Sequence, residues 1–489
     1  MTRSSRRVSA ALATLLSTIA LIPYASAHGA DIQTSCTEAA DATFDEGLNL
    51  LHNMMYIQAE ATFELAAESD PTCAMAQWGI AMSNFHPLWP GGPTEEETAK
   101  GTAAAERLAD MNAGSDLERD LAAAAVAFYA PELEGYRARI AEWAEAQNQA
   151  FEQNHDNVDA AALAALAMLA TAPRGPAGAE TARAAGDLLD KLHEVAPDHP
   201  GVIHYAIHAY DSPAHKDRGV SYAEIYDKTA PTAPHALHMP SHIFTRTGDW
   251  EASIDLNRRS AEAALEQSGD ILQTHYVHAI DYMVYGYLQT GKPGEAEQLV
   301  KEMLAKTNHQ VSFGGAYALA ASPIRLLLEQ EKWAEAAALS PDLHPNIPWE
   351  NFPQTVAMLW FAKGIGAARS GDLDTARSAA EQLAKMRDAM LERDQGYWAQ
   401  LAEGQILSVE AWVELAEGQD ELALSLQTKA ADLEDSIGKS PVTPGHVLPA
   451  RELLGDMFAQ LGQSENAAEA YRATLAHSPN RARSLAALD

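Results

Sequence analysis

Amphipathic stretches with helical spacing of their apolar positions fill most of the chain, and short turns separate them. The apolar face of each helix must be buried against a neighbour, so consecutive stretches are expected to pack as antiparallel pairs. The pattern therefore predicts an all-α chain of helix-turn-helix units. The predicted turns lie at Thr247–Trp250, Gln289–Lys292, Glu331–Trp333, Ser370–Leu373 and Glu417–Asp420.

Two segments near opposite ends of the chain share one spacing of small and large residues. The shared positions are Gly47, Ala59, Phe63 and Pro71 in the first segment, and Gly455, Ala467, Tyr471 and Pro479 in the second. The small residues let two helices approach, the aromatic ring fills the gap, and the proline ends the second helix. On these positions and turns the chain resembles the tetratricopeptide repeat (TPR) family over roughly residues 40–480. Residues 95–200 follow a less regular period.

The resemblance implies a right-handed α-solenoid of stacked helix pairs, with a concave groove in which such proteins bind a peptide or a protein. The fold alone does not set the function, which must be argued from a site. On this interpretation the chain divides into a signal peptide (1–27), N-terminal helical repeats (28–200), central histidine-rich repeats (201–310) and C-terminal repeats (311–489).

The first 27 residues have the pattern of an export signal. Arginines precede the apolar run Ala10–Ile22, and Ala25–Ala27 is a small-residue cleavage site. A periplasmic or secreted protein is therefore predicted, with ordinary secretion and the twin-arginine route both open. The apolar run is too short for a permanent membrane helix, and no other stretch is long enough, so no membrane span is predicted.

The chain has two cysteines, Cys36 and Cys73. An oxidising compartment permits a disulfide between them, and two free thiols are the alternative. The 34 basic residues stand against 68 acidic ones, for a net charge of −34. Nucleic-acid backbones are held by clustered lysines and arginines, so no nucleic-acid partner is expected. A small molecule, a peptide or a protein partner in the groove is expected instead.

Histidines are concentrated in the central repeats, where eight of the 18 fall between residues 204 and 278. The glycines and prolines, and not the histidines, set the helix register, with first helices starting near Pro200, Pro234 and residue 277. In this register the groove-facing positions hold His204 and His208, then His235, His238 and His242, and then His278, Asp281 and Tyr285. Pro240 indicates either a late helix start or a kink between His238 and His242.

Imidazoles at i and i+4, joined by others from adjacent helices, are how helical proteins build metal sites. The predicted ligands are His204, His208, His235, His238, His242, His278 and Asp281. The predicted ion is zinc, copper or iron, and a carboxylate from Asp281 or Asp211 widens the choice to manganese. Seven donors exceed one tetrahedral shell, so either two ions bind or some of these residues have other roles. His52, His86, Asp211 and Tyr285 are additional groove candidates.

The reaction is not named by these residues. Tyr205 and Met239 stand where a zinc protease of the H-E-x-x-H type needs its glutamate, and nucleotide-binding and serine-hydrolase motifs are absent from the sequence. A metal-dependent enzyme, a metal carrier or sensor, and a scaffold whose histidines only line a peptide groove all remain open.

Four stretches also resemble a group of exported, largely uncharacterised bacterial TPR proteins rich in histidine. The stretches are His204-Tyr-Ala-Ile-His208, His238-Met-Pro-Ser-His242-Ile, His278-Ala-Ile-Asp281-Tyr and Pro441-Val-Thr-Pro444-Gly445. This resemblance supports a site at the histidines without assigning an activity to it.

Overall fold

The computed structural model describes residues 32–89, 92–173, 176–340 and 344–489. The predicted signal peptide lies outside these ranges. The described residues form α-helices and one 3-10 turn at Trp349–Asn351, with no β-strand among them and one isolated bridge between Leu272 and His309. Over the same ranges, no helix combines the length and apolar character that a membrane crossing requires.

The N-terminal part consists of eight helices, most of which pack against the next one along the chain. They are α1 (Glu38–His52), α2 (Tyr56–Ser69), α3 (Ala74–Met82), α4 (Glu95–Asp110), α5 (Asp116–Phe128), α6 (Tyr136–Gln153), α7 (Val158–Thr171) and α8 (Pro176–Val195). Thr94 and Ser115 begin α4 and α5 with reciprocal side-chain caps to glutamates three residues on. The less regular region 95–200 is thus helical as well.

The aromatic ring of the first repeat fills the gap that the sequence pattern predicts. Phe63 on α2 is fully buried between Gly47 on α1 and Gly79 on α3. A β-carbon at Gly47 or Gly79 would stand only 2.7 or 2.3 Å from the Phe63 ring. A disulfide between Cys36 and Cys73 joins the residues that precede α1 and α3.

The central part contains the helices that carry the histidines. They are α9 (Pro200–Tyr210), α10 (Lys216–Thr229), α11 (Pro234–His238), α12 (Pro240–Thr247), α13 (Trp250–Gln267) and α14 (Thr274–Gln289). Helices α9 and α11 begin at the prolines that set the predicted register, because proline fits the first helical position. Helix α14 starts a few residues earlier than predicted. Pro240 divides the expected single helix into α11 and α12.

The C-terminal part continues the array. Its helices are α15 (Pro293–Ala305), α16 (Phe313–Leu328), α17 (Trp333–Ala337), α18 (Pro353–Ser370), α19 (Leu373–Glu392), α20 (Gly396–Ala416), α21 (Asp420–Ile437), α22 (Ala450–Gln460), α23 (Ser464–His477) and α24 (Ala482–Ala486). One helix ends and the next begins at each of the five predicted turns. In four of these turns a glycine has a left-handed φ between +71° and +89°, which other residues rarely adopt.

Two C-terminal segments fold back onto the central helices. In the closing loop, residues 438–449 between α21 and α22, the backbone oxygen of Pro441 accepts a hydrogen bond of 3.1 Å from Tyr282 on α14. After α23, the Asn480 oxygen accepts one of 2.9 Å from the Trp250 indole on α13, and Arg481 donates to Tyr285 over 3.1 Å. The array is therefore closed against its own central repeats.

Candidate metal centre

Six histidines from four helices converge in the interior as two groups of three. The first cluster is His204 and His208 of α9 with His235 of α11, and the second cluster is His238 of α11, His242 of α12 and His278 of α14. In each cluster, one ring nitrogen per residue lies within 4.8 Å of the other two. The i, i+4 spacing on α9 and across the α11–α12 break aims each pair to one side.

The two clusters are neighbours. The rings of His235 and His238 have centroids 6.3 Å apart, and those of His208 and His242 are 6.2 Å apart. Spacings within the clusters are shorter, at 4.9 Å for His204 and His208 and 4.4 Å for His238 and His278. The six imidazoles thus form one continuous patch with two centres.

The first cluster presents nitrogens that nothing satisfies. The Nε2 atoms of His204, His208 and His235 are buried and have no hydrogen-bond partner. His204 donates its Nδ1 proton to the backbone oxygen of His52 over 2.6 Å, so in the neutral ring its Nε2 carries a lone pair. A buried polar atom left unpaired costs about 1–3 kcal/mol, and three of them together require an explanation. A metal ion bound to these three nitrogens would supply it.

In the second cluster, the Nε2 lone pairs of His238 and His242 face each other. His238 donates from Nδ1 to Asn257 over 2.6 Å, and His242 donates from Nδ1 to Asp211 over 3.0 Å. Asn257 is oriented for this role because its amide nitrogen donates to the Ser253 backbone oxygen. The Nε2 atoms of His238 and His242, left unprotonated by these bonds, lie 3.0 Å apart. Nitrogens bound tetrahedrally to one zinc at about 2 Å lie roughly 3.3 Å apart, so this pair already has the spacing of shared ligation.

Burial keeps the imidazoles of both clusters neutral. It lowers the pKa of His204 and of His278 to about 3, and it lowers the pKa of His208, His235 and His238 well below the usual value. The pKa of His242 is lowered by burial as well, although its bond to Asp211 opposes the shift. Neutral imidazole is the form that binds metals.

A third group, His52, Asp159 and His199, has a different character. One Asp159 oxygen accepts hydrogen bonds from His52 over 2.8 Å and from His199 over 2.9 Å. The remaining ring nitrogens also have partners, since Tyr205 donates to His52 and the Val202 amide donates to His199. This group is internally satisfied, so it acts as a fixed support. His52 serves the first cluster through its backbone oxygen and not as a ligand.

Asp281 does not join the histidines. Its Oδ1 accepts a 2.9 Å hydrogen bond from Arg325, and both side chains are fully buried. Arg325 also bonds to Thr443 and Gly445 of the closing loop. The aspartate therefore belongs to the contact between α14, α16 and the closing loop, and both clusters offer imidazole donors alone.

The other candidates take supporting places. Asp211 orients His242 and pairs with Arg246 at 2.8 Å and with Lys439 at 3.5 Å. Burial alone would raise the pKa of Asp211, but Lys439, Arg246 and His242 lower it well below the usual value. The Tyr285 hydroxyl oxygen accepts a hydrogen bond from the Arg481 guanidinium.

The structure adds two residues that sequence reasoning missed. Asn257 sits within α13, where nothing in its sequence surroundings distinguishes it from a surface asparagine. Lys439 lies two residues before Pro441, so the nearby Pro441–Gly445 stretch was the available signal for it.

The histidines do not line an open groove. His204, His238 and His242 are at most 3% exposed and His235 is 7% exposed, whereas His208 and His278 are partly exposed. The expected groove face is enclosed because the closing loop and the segment after α23 pack onto the central helices. This packing limits the access of water to the second cluster, whose neighbours Tyr282 and Asp211 contact the closing loop.

Paired helices, left-handed turns and the repeated contact of a small residue with an aromatic ring define the architecture. At Gly455 a β-carbon would stand 2.7 Å from the Tyr471 ring, as at Gly47 against Phe63. The chain has the solenoid-like fold of a TPR protein.

Comparison with known proteins adds no function. No protein-family model matches the chain, and no curated protein does. Solved structures with similarity include a human IFIT1 dimer with PPP-AAAA (16% identity, 81% of this chain and 73% of that chain, TM-score 0.34). Others are a Rap protein complexed with competence and sporulation factor (12%, 91% and 99%, TM-score 0.37) and the APC/C hetero-tetramer Cut9–Hcn1 (14%, 92% and 89%, TM-score 0.30).

Likeness at this level carries no conclusion about what this chain binds. In particular, it gives no support to the expectation from net charge that nucleic acid is not a partner.

Proposed function

We propose that this TPR-like protein binds two transition-metal ions, one in each histidine cluster, and that it is a metal-dependent enzyme. The observation that carries the proposal is the set of buried, unpartnered Nε2 atoms of His204, His208 and His235. Hydrogen bonds satisfy the ring nitrogens of His52 and His199 in the nearby third group, whereas the first cluster brings three unpartnered ring nitrogens together.

The donor chemistry favours copper or zinc. Six neutral imidazoles suit these ions, whereas manganese and the common non-haem iron sites require carboxylate ligands. Arg325 holds Oδ1 of Asp281, Asp281 is not among the closely spaced ligand groups of either cluster, and Asp211 faces His242 Nδ1, so the close donors of both clusters are imidazoles.

Three protein ligands per ion leave a coordination position open, and a bound ion there would supply activation of water or of dioxygen. The protein itself orients the imidazole ligands and limits the access of water to them. The His52 backbone oxygen, Asn257 and Asp211 fix His204, His238 and His242 by hydrogen bonds to their outer nitrogens.

A partner-binding scaffold without metal is the alternative. It is less well supported, because the face that would receive a peptide is covered by the closing loop through Tyr282, Arg325 and Asp211. We also propose that the protein acts in the periplasm or outside the cell. The disulfide between Cys36 and Cys73 supports an oxidising compartment.

Metal content of the protein, purified without an affinity tag or chelators, tests the proposal. We expect two copper or zinc ions per chain. His204→Gln should lose one ion, His242→Gln should lose the other, and the double variant should lose both while its helical circular dichroism is retained. Azide should change the visible spectrum of the cobalt-substituted protein, because it enters an open coordination position.

His344→Gln is the matched control. His344 is buried, and its ring nitrogens are bonded to the Lys306 oxygen and the Asn346 amide, so its loss should leave the metal content unchanged. The proposal fails if the purified protein holds no ion above trace and takes up neither added copper nor zinc. A cobalt spectrum that azide does not alter would contradict the proposal that the protein is an enzyme and would favour a metal carrier.

A further inference from the structure

A cavity of about 290 Å³ lies beside the first cluster, between the α1–α2 turn, the residues that follow α3, the start of α4 and the start of α14. Its volume is near the lower end of the range for small-molecule pockets, roughly 300–1,000 Å³. Trp89 and His275 form its inner wall, and both contact His235, with ring centroids 6.2 and 5.4 Å away. A molecule in this cavity is therefore one ring away from the first cluster.

Aromatic rings build one side of the cavity. Tyr56 and His86 are stacked with centroids 4.4 Å apart, and Trp89 packs against both at 5.5 Å. Burial lowers the pKa of His86 and raises that of Tyr56 well above its usual value, so all three rings are uncharged near neutral pH. The π-system of an uncharged aromatic ring carries partial negative charge on its face and attracts cations.

Carboxylates dominate the other side. Glu60, Glu96 and Glu97 line the cavity, and Lys100 is the one ammonium group among its described lining residues. Lys100 lies 3.4 Å from Glu60 and 3.7 Å from Glu96, so it offsets only part of this charge. A hydrated metal ion would gain little from the aromatic wall, and an anion would be repelled. An organic cation would use both sides.

We propose that this cavity binds a small organic cation, such as a quaternary ammonium compound or a protonated amine, and holds it next to the first histidine cluster. Binding itself does not depend on the metal proposed above. The placement next to His235 would make the bound cation the substrate or effector of that metal centre, and this part rests on the proposed function.

Choline and its uncharged counterpart of similar shape, 3,3-dimethylbutan-1-ol, are the probes. Titration calorimetry and ligand-observed NMR should show that choline binds and that the alcohol binds at least tenfold more weakly. Trp89→Leu should weaken choline binding about tenfold or more, and Glu60→Gln should weaken it several-fold. Increased salt should weaken binding to the wild-type chain more than binding to Glu60→Gln.

Glu68→Gln, on the exposed side of the same helix α2, and Trp360→Leu on the distant α18 are the controls and should leave choline binding unchanged. Unchanged circular dichroism is required of every variant. Equal affinity for choline and the alcohol, or unchanged choline affinity in both Trp89→Leu and Glu60→Gln, would overturn the proposal.

The measurements are repeated on metal-free protein and on the protein loaded with copper(II). Choline binding that persists without metal supports the cavity whatever the outcome of the metal analysis. With copper bound, the NMR lines of bound choline should broaden, and His204→Gln should reduce this broadening. Absence of choline binding in a protein that holds two metal ions would overturn the cavity proposal alone.

Discussion

Asn257 gives the sharpest test of how the second cluster is prepared for a metal. Its side-chain oxygen accepts the Nδ1 proton of His238 over 2.6 Å inside the protein, which leaves the Nε2 lone pair of His238 facing His242. The substitution Asn257→Leu removes this acceptor oxygen and keeps the side-chain volume nearly constant. The His238 proton is then expected to move to Nε2 and to donate to His242 across the 3.0 Å gap.

This shift opposes metal binding directly, because the proton occupies the position of the ion. Loss of a hydrogen-bond partner behind a metal-binding histidine typically costs 10–100-fold in affinity, which is about 1.4–2.7 kcal/mol. The metal-free variant should lose less stability than an orphaned donor would cost, because the new bond between the two rings replaces the old one.

The assay is a competition titration against a chromophoric chelator in the His204→Gln background, where only the second cluster remains. Nitrogen-15 NMR of the imidazoles should show His238 protonated at Nδ1 in the parent and at Nε2 in Asn257→Leu. Asn257→Asp retains the acceptor and should bind metal at least as tightly as the parent. Unchanged affinity in a folded Asn257→Leu variant would refute the reasoning.

Two further predictions concern stability. Burial raises the pKa of Glu434 to about 8, so the folded state holds a proton that the unfolded chain releases near pH 4.5. The free energy of unfolding is therefore not reduced by this group below pH 4.5, and it falls by about 1.4 kcal/mol per pH unit as the pH rises towards 8. Denaturant unfolding of Glu434→Gln should show a smaller loss of unfolding free energy between pH 4.5 and 8. The same dependence on pH as in the wild type would contradict the raised pKa of Glu434. Gly79→Ala should destabilise the N-terminal repeats by about 1–3 kcal/mol, because its β-carbon would meet the Phe63 ring at 2.3 Å. Gly404→Ala on α20, where the nearest atom is 3.6 Å away, should be neutral or stabilising, and equal melting temperatures for the two variants would argue against the predicted packing.

The sequence was sufficient for the helix pairs and their turns. A left-handed turn needs glycine, and a helix start tolerates proline, so Gly248, Gly371 and Pro234 mark boundaries that do not depend on distant residues. The same local rules placed the histidines of α9, α11, α12 and α14 on faces that meet. For that reason helix register alone is enough to group the six imidazoles at one site.

Distant contacts decided how that site is arranged. The backbone oxygen that fixes His204 belongs to His52, 152 residues earlier in the chain. Asp281 has the spacing of a ligand, but Arg325 on α16 and the closing loop draw it into an ion pair. No local pattern encodes either partner.

By itself, then, the sequence determined an all-α array of helix pairs and a central concentration of inward-facing imidazoles, because helix periodicity and turn chemistry are local. The tertiary structure alone decided that the histidines divide into two clusters, that hydrogen bonds hold the outer nitrogens of His204, His238 and His242 so that their lone pairs face inward, and that C-terminal segments pack onto the central helices. Burial and hydrogen-bond partners set the protonation of an imidazole, and both depend on segments that meet only in the folded chain.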